Sequence, residues 1–316
     1  MYRELFNGYN CLSAALGEYS LRKGIDNVLE VINSQMTFLF DKDLFWKGEW
    51  FAGSTLKPVD SYLIYDLKKY LCGYIYEKRM SLEEEVEYLK ENDLLIVLVD
   101  FYYMDSVNWK LLKRFNVIPE HDPHFILTQN IDTLNQKVNI IDPYYNYIGE
   151  MDLEKYKQAR SGITRQGEVD QKVYLFTFDV NEKLDIKTLF FDRMKRYYDE
   201  KMFENIFTMG EEIDRRRLIY GINQDRKWAI NAYNCLRSAM DQHERLNFYA
   251  DCHKIEISKK FIELENLWGE LRKKFIEYYN YRLDDLEEIS YLTFKIGQIE
   301  KNELVDILSR KEEKSV

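Results

Sequence analysis

Residues 7–16 read Asn-Gly-Tyr-Asn-Cys-Leu-Ser-Ala-Ala-Leu and place Cys11 at the start of a predicted amphipathic helix. The apolar positions Leu12, Ala15, Leu16 and Tyr19 follow the i, i+3, i+4, i+7 pattern of one helix face. The first turn of a helix has unpaired backbone N–H groups and the positive end of the helix dipole, which favour a thiolate. A nucleophilic cysteine is expected in such a position, although free cysteine is also among the most buried residue types.

The composition describes a folded, acidic chain of 316 residues, with 46% hydrophobic residues and a net charge of −10. Most of the net negative charge, −8 of −10, lies in the first 180 residues, which argues against nucleic acid as a partner because binding it requires neutralising phosphates. No apolar run has the length of a membrane span, and the N-terminus lacks the pattern of a secretion signal. The four cysteines show no paired spacing, so we expect a protein of the reducing cytoplasm that does not bind membranes.

The distribution of proline and glycine divides the chain near residue 180. All four prolines lie before residue 144, and beyond 180 glycine is sparse while charged residues recur at helical spacing. The sequence therefore predicts an α+β part over residues 1–180, followed by a mostly helical domain or cap over residues 181–316.

A histidine and an aspartate mark the ends of a predicted antiparallel hairpin formed by residues 125–130 and 138–142. His124 enters the first strand, and Asp142 ends the second strand 18 residues later. A carboxylate on the neighbouring strand can orient an imidazole and stabilise its protonated form, and the imidazole can then activate the thiol of Cys11. The order Cys, His, Asp is the papain-type order, with Asp in place of the more usual Asn. The alternative is that His124 is an ordinary residue before a strand and that Asp142 starts a turn.

Four motifs resemble the N-terminal domain of butirosin biosynthesis protein H and its family. They are residues 8–16, 99–103, 123–127 and 141–145. The resemblance covers about residues 1–180, and a helical C-terminal region also fits that family. Relatives occur beside nonribosomal peptide pathways and include a cysteine-protease-like amide synthetase of closthioamide-type assembly.

The resemblance implies a papain-like fold that forms an amide bond instead of hydrolysing one. Cys11 would take an acyl group from a carrier-protein thioester, and a small amine such as a diamine would then attack the acyl-enzyme. His124 would act as base and acid, and Asp142 would orient it. Residues lining the pocket would be Asp100, Tyr102 and Tyr103. No cofactor is implied beyond the phosphopantetheine arm of the carrier.

The oxyanion hole departs from the family pattern. Many relatives have His where this chain has Asn10, and no Gln lies a turn upstream of Cys11. Asn7 or Asn10, together with the backbone N–H of Cys11, could stabilise the oxyanion instead.

Two other functions stay open on the sequence alone. The same three residues could serve a cysteine peptidase or thioesterase, or the chain could be an inactive module that binds a carrier protein. We expect no metal site, because the spacing of Cys235, His243, Cys252 and His253 matches no zinc pattern. The absence of a Gly-rich phosphate loop argues against an ATP-dependent ligase.

A group of basic residues is predicted to form a solvated helix face in the C-terminal part. The group comprises Arg193, Lys195, Arg196, Arg215, Arg216 and Arg217. The alternative is a docking patch for an acidic carrier protein or its phosphate.

Overall fold

The structure, a computed structural model, describes residues 4–53, 56–112, 120–178, 183–220, 226–280 and 285–313. The chain forms two compact units, and each contains two separate stretches of sequence. Unit 1 contains Met1–Leu29 and Asp66–Glu182, and unit 2 contains Glu30–Tyr65 and Lys183–Val316.

Unit 1 is built on a six-stranded antiparallel sheet with the strand order β1-β8-β2-β3-β4-β5. The strands are β1 (Tyr74–Arg79), β2 (Leu95–Asp100), β3 (Pro123–Asp132), β4 (Lys137–Asp142), β5 (Tyr147–Asp152) and β8 (Lys172–Thr177). A separate pair is formed by β6 (Ile163–Thr164) and β7 (Gly167–Glu168). The predicted α+β class is confirmed, and the predicted hairpin is formed by β3 and β4.

Thirteen helices occur within the described residues. The first seven are α1 (Cys11–Lys23), α2 (Asp26–Asn33), α3 (Lys42–Lys47), α4 (Lys57–Leu71), α5 (Leu82–Asn92), α6 (Trp109–Leu112) and α7 (Leu153–Arg160). The last six are α8 (Ile186–Asp199), α9 (Glu204–Tyr220), α10 (Lys227–Cys235), α11 (Arg237–Cys252), α12 (Lys259–Tyr279) and α13 (Asp285–Glu313). In the part of the chain that the structure describes, none of them has both the length and the apolar character of a bilayer span.

A buried ion pair holds helices α5 and α7 against the sheet of unit 1. The guanidinium of Arg160 contacts Glu85 at 2.5 Å and donates to the carbonyl oxygens of Leu98 on β2 and Lys172 on β8. The second carboxylate oxygen of Glu85 accepts from the hydroxyl of Tyr156 at 2.7 Å. Because all these polar groups have partners, the buried charges link two helices to two strands.

Unit 2 has its own core, and residues 30–65 contribute to it. Phe38 lies 5.2 Å from the ring of Trp268, and Phe45 lies 5.3 Å from the ring of Trp228. The sequence analysis placed this stretch in the α+β part over residues 1–180. Three of its aromatic side chains, Phe38, Phe45 and Phe51, are instead buried in the core of the helical unit, and helix α3 forms within it. The sequence analysis predicts one boundary, near residue 180. The chain instead passes between the units three times, after Leu29, Tyr65 and Glu182.

A buried carboxylate also joins the helices of unit 2. Glu300 on α13 accepts from His243 on α11, from Trp268 on α12 and from Tyr197 on α8, at distances between 2.6 and 3.0 Å. These contacts assign His243 to a structural network in the core. The polar groups of four helices thus converge on one carboxylate.

The prediction of a solvated arginine face is wrong for two of its members. Arg193 is 1% exposed, and Arg216 is 8% exposed. The guanidinium of Arg216 lies 4.8 Å from the ring of Trp228 and donates to the carbonyl oxygen of Phe45 at 3.2 Å. Arg217 forms ion pairs with neighbouring carboxylates. Aromatic packing rather than solvent therefore surrounds Arg216.

Replacing Glu85 by Ala is expected to destabilise unit 1 by about 3–5 kcal/mol, because the charge of Arg160 would stay buried without a carboxylate. The free energy of unfolding is measured in urea, with hydrogen exchange of the β2 and β8 amides as the probe of unit 1. The control is Glu87→Ala on the same helix, since Glu87 is exposed and forms a surface ion pair with Lys90. Equal stabilities of the two variants would contradict the role given to the buried pair.

Candidate active site

Cys11 is the first residue of helix α1, as the sequence predicts, and it is a half-buried free cysteine. Asn10 caps the helix: its side chain accepts from the N–H of Ser13, and the hydroxyl of Ser13 accepts from the N–H of Asn10. Gly8 lies against this first turn so closely that an added Cβ would be 2.1 Å from the nitrogen of Ala14. The local sequence thus fixes the position of the helix terminus that carries the thiol.

His124 and Asp142 meet across strands β3 and β4, as predicted. Nε2 of His124 lies 2.9 Å from Oδ2 of Asp142, and both side chains are buried. The strand register pairs Thr128 with Ile140. Continuing this register by two residues along each strand places Asp142 opposite Ile126. His124 is therefore the diagonal neighbour of Asp142 on the same face of the sheet, within reach of a long side chain.

The side chain of Cys11 also lies within interaction range of the imidazole of His124, since hydrogen bonding and charge from Cys11 raise the pKa of this imidazole. Burial lowers the pKa of His124, but the charge and hydrogen bond of Asp142 and the contact with Cys11 outweigh it and raise this pKa to about 10. His124 is therefore a cation at neutral pH. Because Nε2 is engaged by Asp142, Nδ1 is the ring nitrogen left for the thiol.

Ser106 is a part of the site that the sequence analysis missed. Its hydroxyl donates to Oδ2 of Asp142 at 2.6 Å, the same oxygen that contacts His124. Ser106 lies in the segment between β2 and α6, where no motif or spacing distinguishes it from other serines. Its contribution follows only from the fold.

Aromatic rings surround the imidazole of His124. The ring centroids of Phe101, Tyr145 and Tyr144 lie 4.9, 5.6 and 6.4 Å from that of His124. Phe101 belongs to the 3-10 turn after β2, and the two tyrosines belong to the 3-10 turn after β4. In the sequence, these three aromatic residues could have been found only from their position directly after two predicted strands. These rings restrict the access of water to the pair formed by His124 and Asp142.

The two asparagines proposed for the oxyanion hole lie beside the thiol in the sequence. Asn10 uses its side-chain oxygen as the helix cap, and Asn7 is half-buried in the segment before the helix. The backbone N–H of Cys11 belongs to the first turn, where no acceptor exists within the helix itself. An oxyanion role for Asn7 or Asn10 stays a prediction.

The three predicted pocket residues gather around a histidine that the sequence analysis did not assign to the site. Oδ2 of Asp100 lies 2.6 Å from Nδ1 of His121. The ring of Tyr102 stacks on that of His121 at 4.3 Å, and the ring of Tyr103 lies 6.1 Å from it. A role for Asp100, Tyr102 and Tyr103 in lining a substrate pocket stays a prediction.

The ligand sets of metal ions were also considered. Among the residues that the structure describes, no three His, Cys, Asp or Glu side chains are grouped as metal ligands would be. Cys235, which the sequence analysis considered in this context, is buried in the core of unit 2.

Limiting iodoacetamide at pH 6 is expected to alkylate Cys11 faster than the exposed Cys72 and Cys252 of the same molecule. A cationic imidazole favours the thiolate, whereas an ordinary thiol, with a pKa of about 8.5, loses about tenfold in reactivity per pH unit below that value. Peptide mass spectrometry gives the three rates.

The variant His124→Ala should remove the preference for Cys11 and leave the rates of Cys72 and Cys252 unchanged. A Cys11 that is slower than the exposed cysteines at pH 6 in the unaltered protein would contradict the geometry described above. So would an unchanged Cys11 rate in the variant.

Comparison with known proteins adds no family to this description. No family model matches the chain, and no curated protein matches it significantly. The interpretation of the site therefore depends on the geometry of Cys11, His124 and Asp142.

Proposed function

We propose that the chain is an amide synthetase that transfers an acyl group from a carrier-protein thioester to an amine through Cys11. The observation that carries the proposal is the unbroken series of contacts from Cys11 to His124 and from His124 to Asp142. A cysteine helix beside an antiparallel sheet that carries His and Asp supports a papain-like arrangement, which the sequence resemblance also implies.

The first half-reaction loads the enzyme. The thiolate of Cys11 attacks the thioester carbonyl, so that a bond forms between Sγ and the acyl carbon. As the tetrahedral intermediate collapses, the bond from that carbon to the sulfur of the phosphopantetheine arm breaks. The cationic His124 gives its proton to the departing thiolate, which leaves as the thiol. The products are the free carrier thiol and a thioester on Cys11.

The second half-reaction releases the product. A neutral amine attacks the acyl carbon on Cys11, and the now neutral His124 accepts a proton from the amine nitrogen. Collapse of the intermediate breaks the bond to Sγ and restores the thiolate beside the imidazolium. Asp142 keeps the ring oriented through Nε2 and stabilises its charge in both steps.

The negative oxygen that forms in both steps is expected to lie at the N-terminus of helix α1. The backbone N–H of Cys11 and the positive end of the helix dipole favour negative charge there. Asn7 or Asn10 is our candidate for a second donor. The proposal needs no cofactor bound by this protein, and a reducing cytoplasm is the compartment that we propose.

The proposal is tested with a panel of aliphatic and aromatic thioesters of N-acetylcysteamine. Each thioester is mixed with the protein and a primary amine, and mass spectrometry identifies the products. Cys11→Ala and His124→Ala should each lower the rate of amide formation by at least about 10³-fold, because removing one member of such a unit costs nearly as much as removing all. The matched controls Cys72→Ala and Cys252→Ala should retain full activity.

The products also separate the competing functions. Release of the free acid at a rate that amine does not alter would indicate a thioesterase or peptidase using the same three residues. Amide formation that survives in Cys11→Ala would contradict the proposal. Binding of a carrier protein without either product would favour the inactive binding module.

A further inference from the structure

A second imidazole–carboxylate pair lies beside the first. Asp100 is fully buried, and its Oδ2 contacts Nδ1 of His121 at 2.6 Å while its Oδ1 accepts from the N–H of Tyr102 at 3.1 Å. The side chain of His121 is 47% exposed, and its ring stacks on that of Tyr102. Since Nδ1 faces the carboxylate, Nε2 is the nitrogen left to exchange protons with a solute.

The backbone of Gly162 lies directly against the side chain of Asp100. An added Cβ on Gly162 would lie 2.5 Å from Oδ2 of Asp100 and 2.6 Å from its Cβ, which is closer than atoms can pack. The carboxylate therefore occupies a fitted position between Gly162 and His121, and a larger residue at position 162 would displace it.

The two pairs share one end of strands β2 and β3. His121 precedes His124 by three residues, so their Cα atoms are at most about 11 Å apart. Val99 is paired with His124 in the sheet, and Asp100 is paired with Pro123. Phe101, between Asp100 and Tyr102 in the chain, lies with its ring 4.9 Å from that of His124. The turn after β2 thus contacts both histidines.

Amide formation needs a second proton acceptor that hydrolysis does not need. A primary alkyl amine, like the side chain of lysine, has a pKa near 10 and arrives at neutral pH as an ammonium ion. It must lose one proton before it can attack and another as the amide forms. His124 accepts only one of them in the mechanism above, whereas a water molecule attacks with no proton removed beforehand.

We propose that His121, oriented by Asp100, accepts the first proton of a protonated primary amine and that Cys11 then acylates this amine. The proton passes from the ammonium nitrogen to Nε2 of His121 and from there to solvent, which leaves a neutral amine and frees Nε2 for the next turnover. The second proton passes to His124 as the nitrogen–carbon bond forms. The faces of Tyr102 and Tyr103 supply cation–π contacts for the arriving ammonium. This inference depends on the proposed amide synthetase function and names its acceptor class.

Two nucleophiles that differ in protonation test the inference. Cys11 is first acylated with p-nitrophenyl acetate in the full-length protein, and then n-butylamine, an ammonium at neutral pH, or methoxyamine, which is neutral there, is added. His121→Ala is expected to slow amide formation from n-butylamine by about 10²–10⁴-fold, the usual contribution of a general base. The rate with methoxyamine should hardly change, because that amine has no such proton to lose.

Variants of the supporting residues should reproduce this selectivity. Asp100→Asn and Gly162→Ala disturb the orientation of His121. Each variant should therefore slow amide formation from n-butylamine more than amide formation from methoxyamine. The matched control is His253→Ala, because His253 also pairs with a carboxylate, that of Glu30 at 2.8 Å, but belongs to unit 2. It should leave both rates unchanged.

Equal losses with both nucleophiles in His121→Ala would overturn the inference and assign His121 a structural role, and unchanged rates with both would overturn it as well. Should that variant fold poorly, His121→Gly with added imidazole replaces it, and the inference requires that imidazole restore the n-butylamine rate alone. An unaltered protein in which Cys11 takes no acyl group would contradict the proposed function itself, which is a distinct result.

Discussion

The candidate site depends on one contact, the 2.9 Å approach of His124 to Asp142 across two strands. Both groups are buried, and a buried charge is costly unless it is paired and hydrogen-bonded. Here the imidazolium has the carboxylate, the carboxylate has a further donor in Ser106, and aromatic rings limit the access of water. This environment keeps the proton on His124 at neutral pH, and the N-terminus of helix α1 brings the thiol of Cys11 to it.

The parts of the fold that follow from local sequence were predictable. Helix α1 has its cap, its apolar face and its terminal glycine within fourteen or so residues, and strands β3 and β4 are joined by a short polar turn. The membership of residues 30–65 was not predictable, because it is decided by packing against Trp228 and Trp268, which lie far away in the sequence. The burial of Arg216 was missed for the same reason, since charge alone suggested solvent.

The residues of the site fall into the same two groups, those that local sequence predicts and those that only the tertiary structure reveals. Cys11, His124 and Asp142 were recognisable because helix position, strand position and spacing each restrict chemistry to few residue types. Ser106 has no such signal, and it became part of the site only because the segment after β2 reaches Asp142. The pairing of Asp100 with His121 also depends on register, since β2 and β3 must align for Asp100 to lie opposite Pro123. Sequence therefore indicated Cys11 and His124 as the candidate nucleophile and base, and the tertiary structure supplied the groups that contact them.

The central claim is that Cys11 carries the acyl group between donor and amine. The most direct test mixes the protein with an acyl thioester of N-acetylcysteamine in the absence of amine, and follows the intact mass and its peptides. We expect one added acyl group, located on Cys11, that disappears when a primary amine is added while the matching amide appears in equal amount. An acyl group on Cys72 or Cys252 instead, or a stable Cys11 adduct that amine does not discharge, would contradict it.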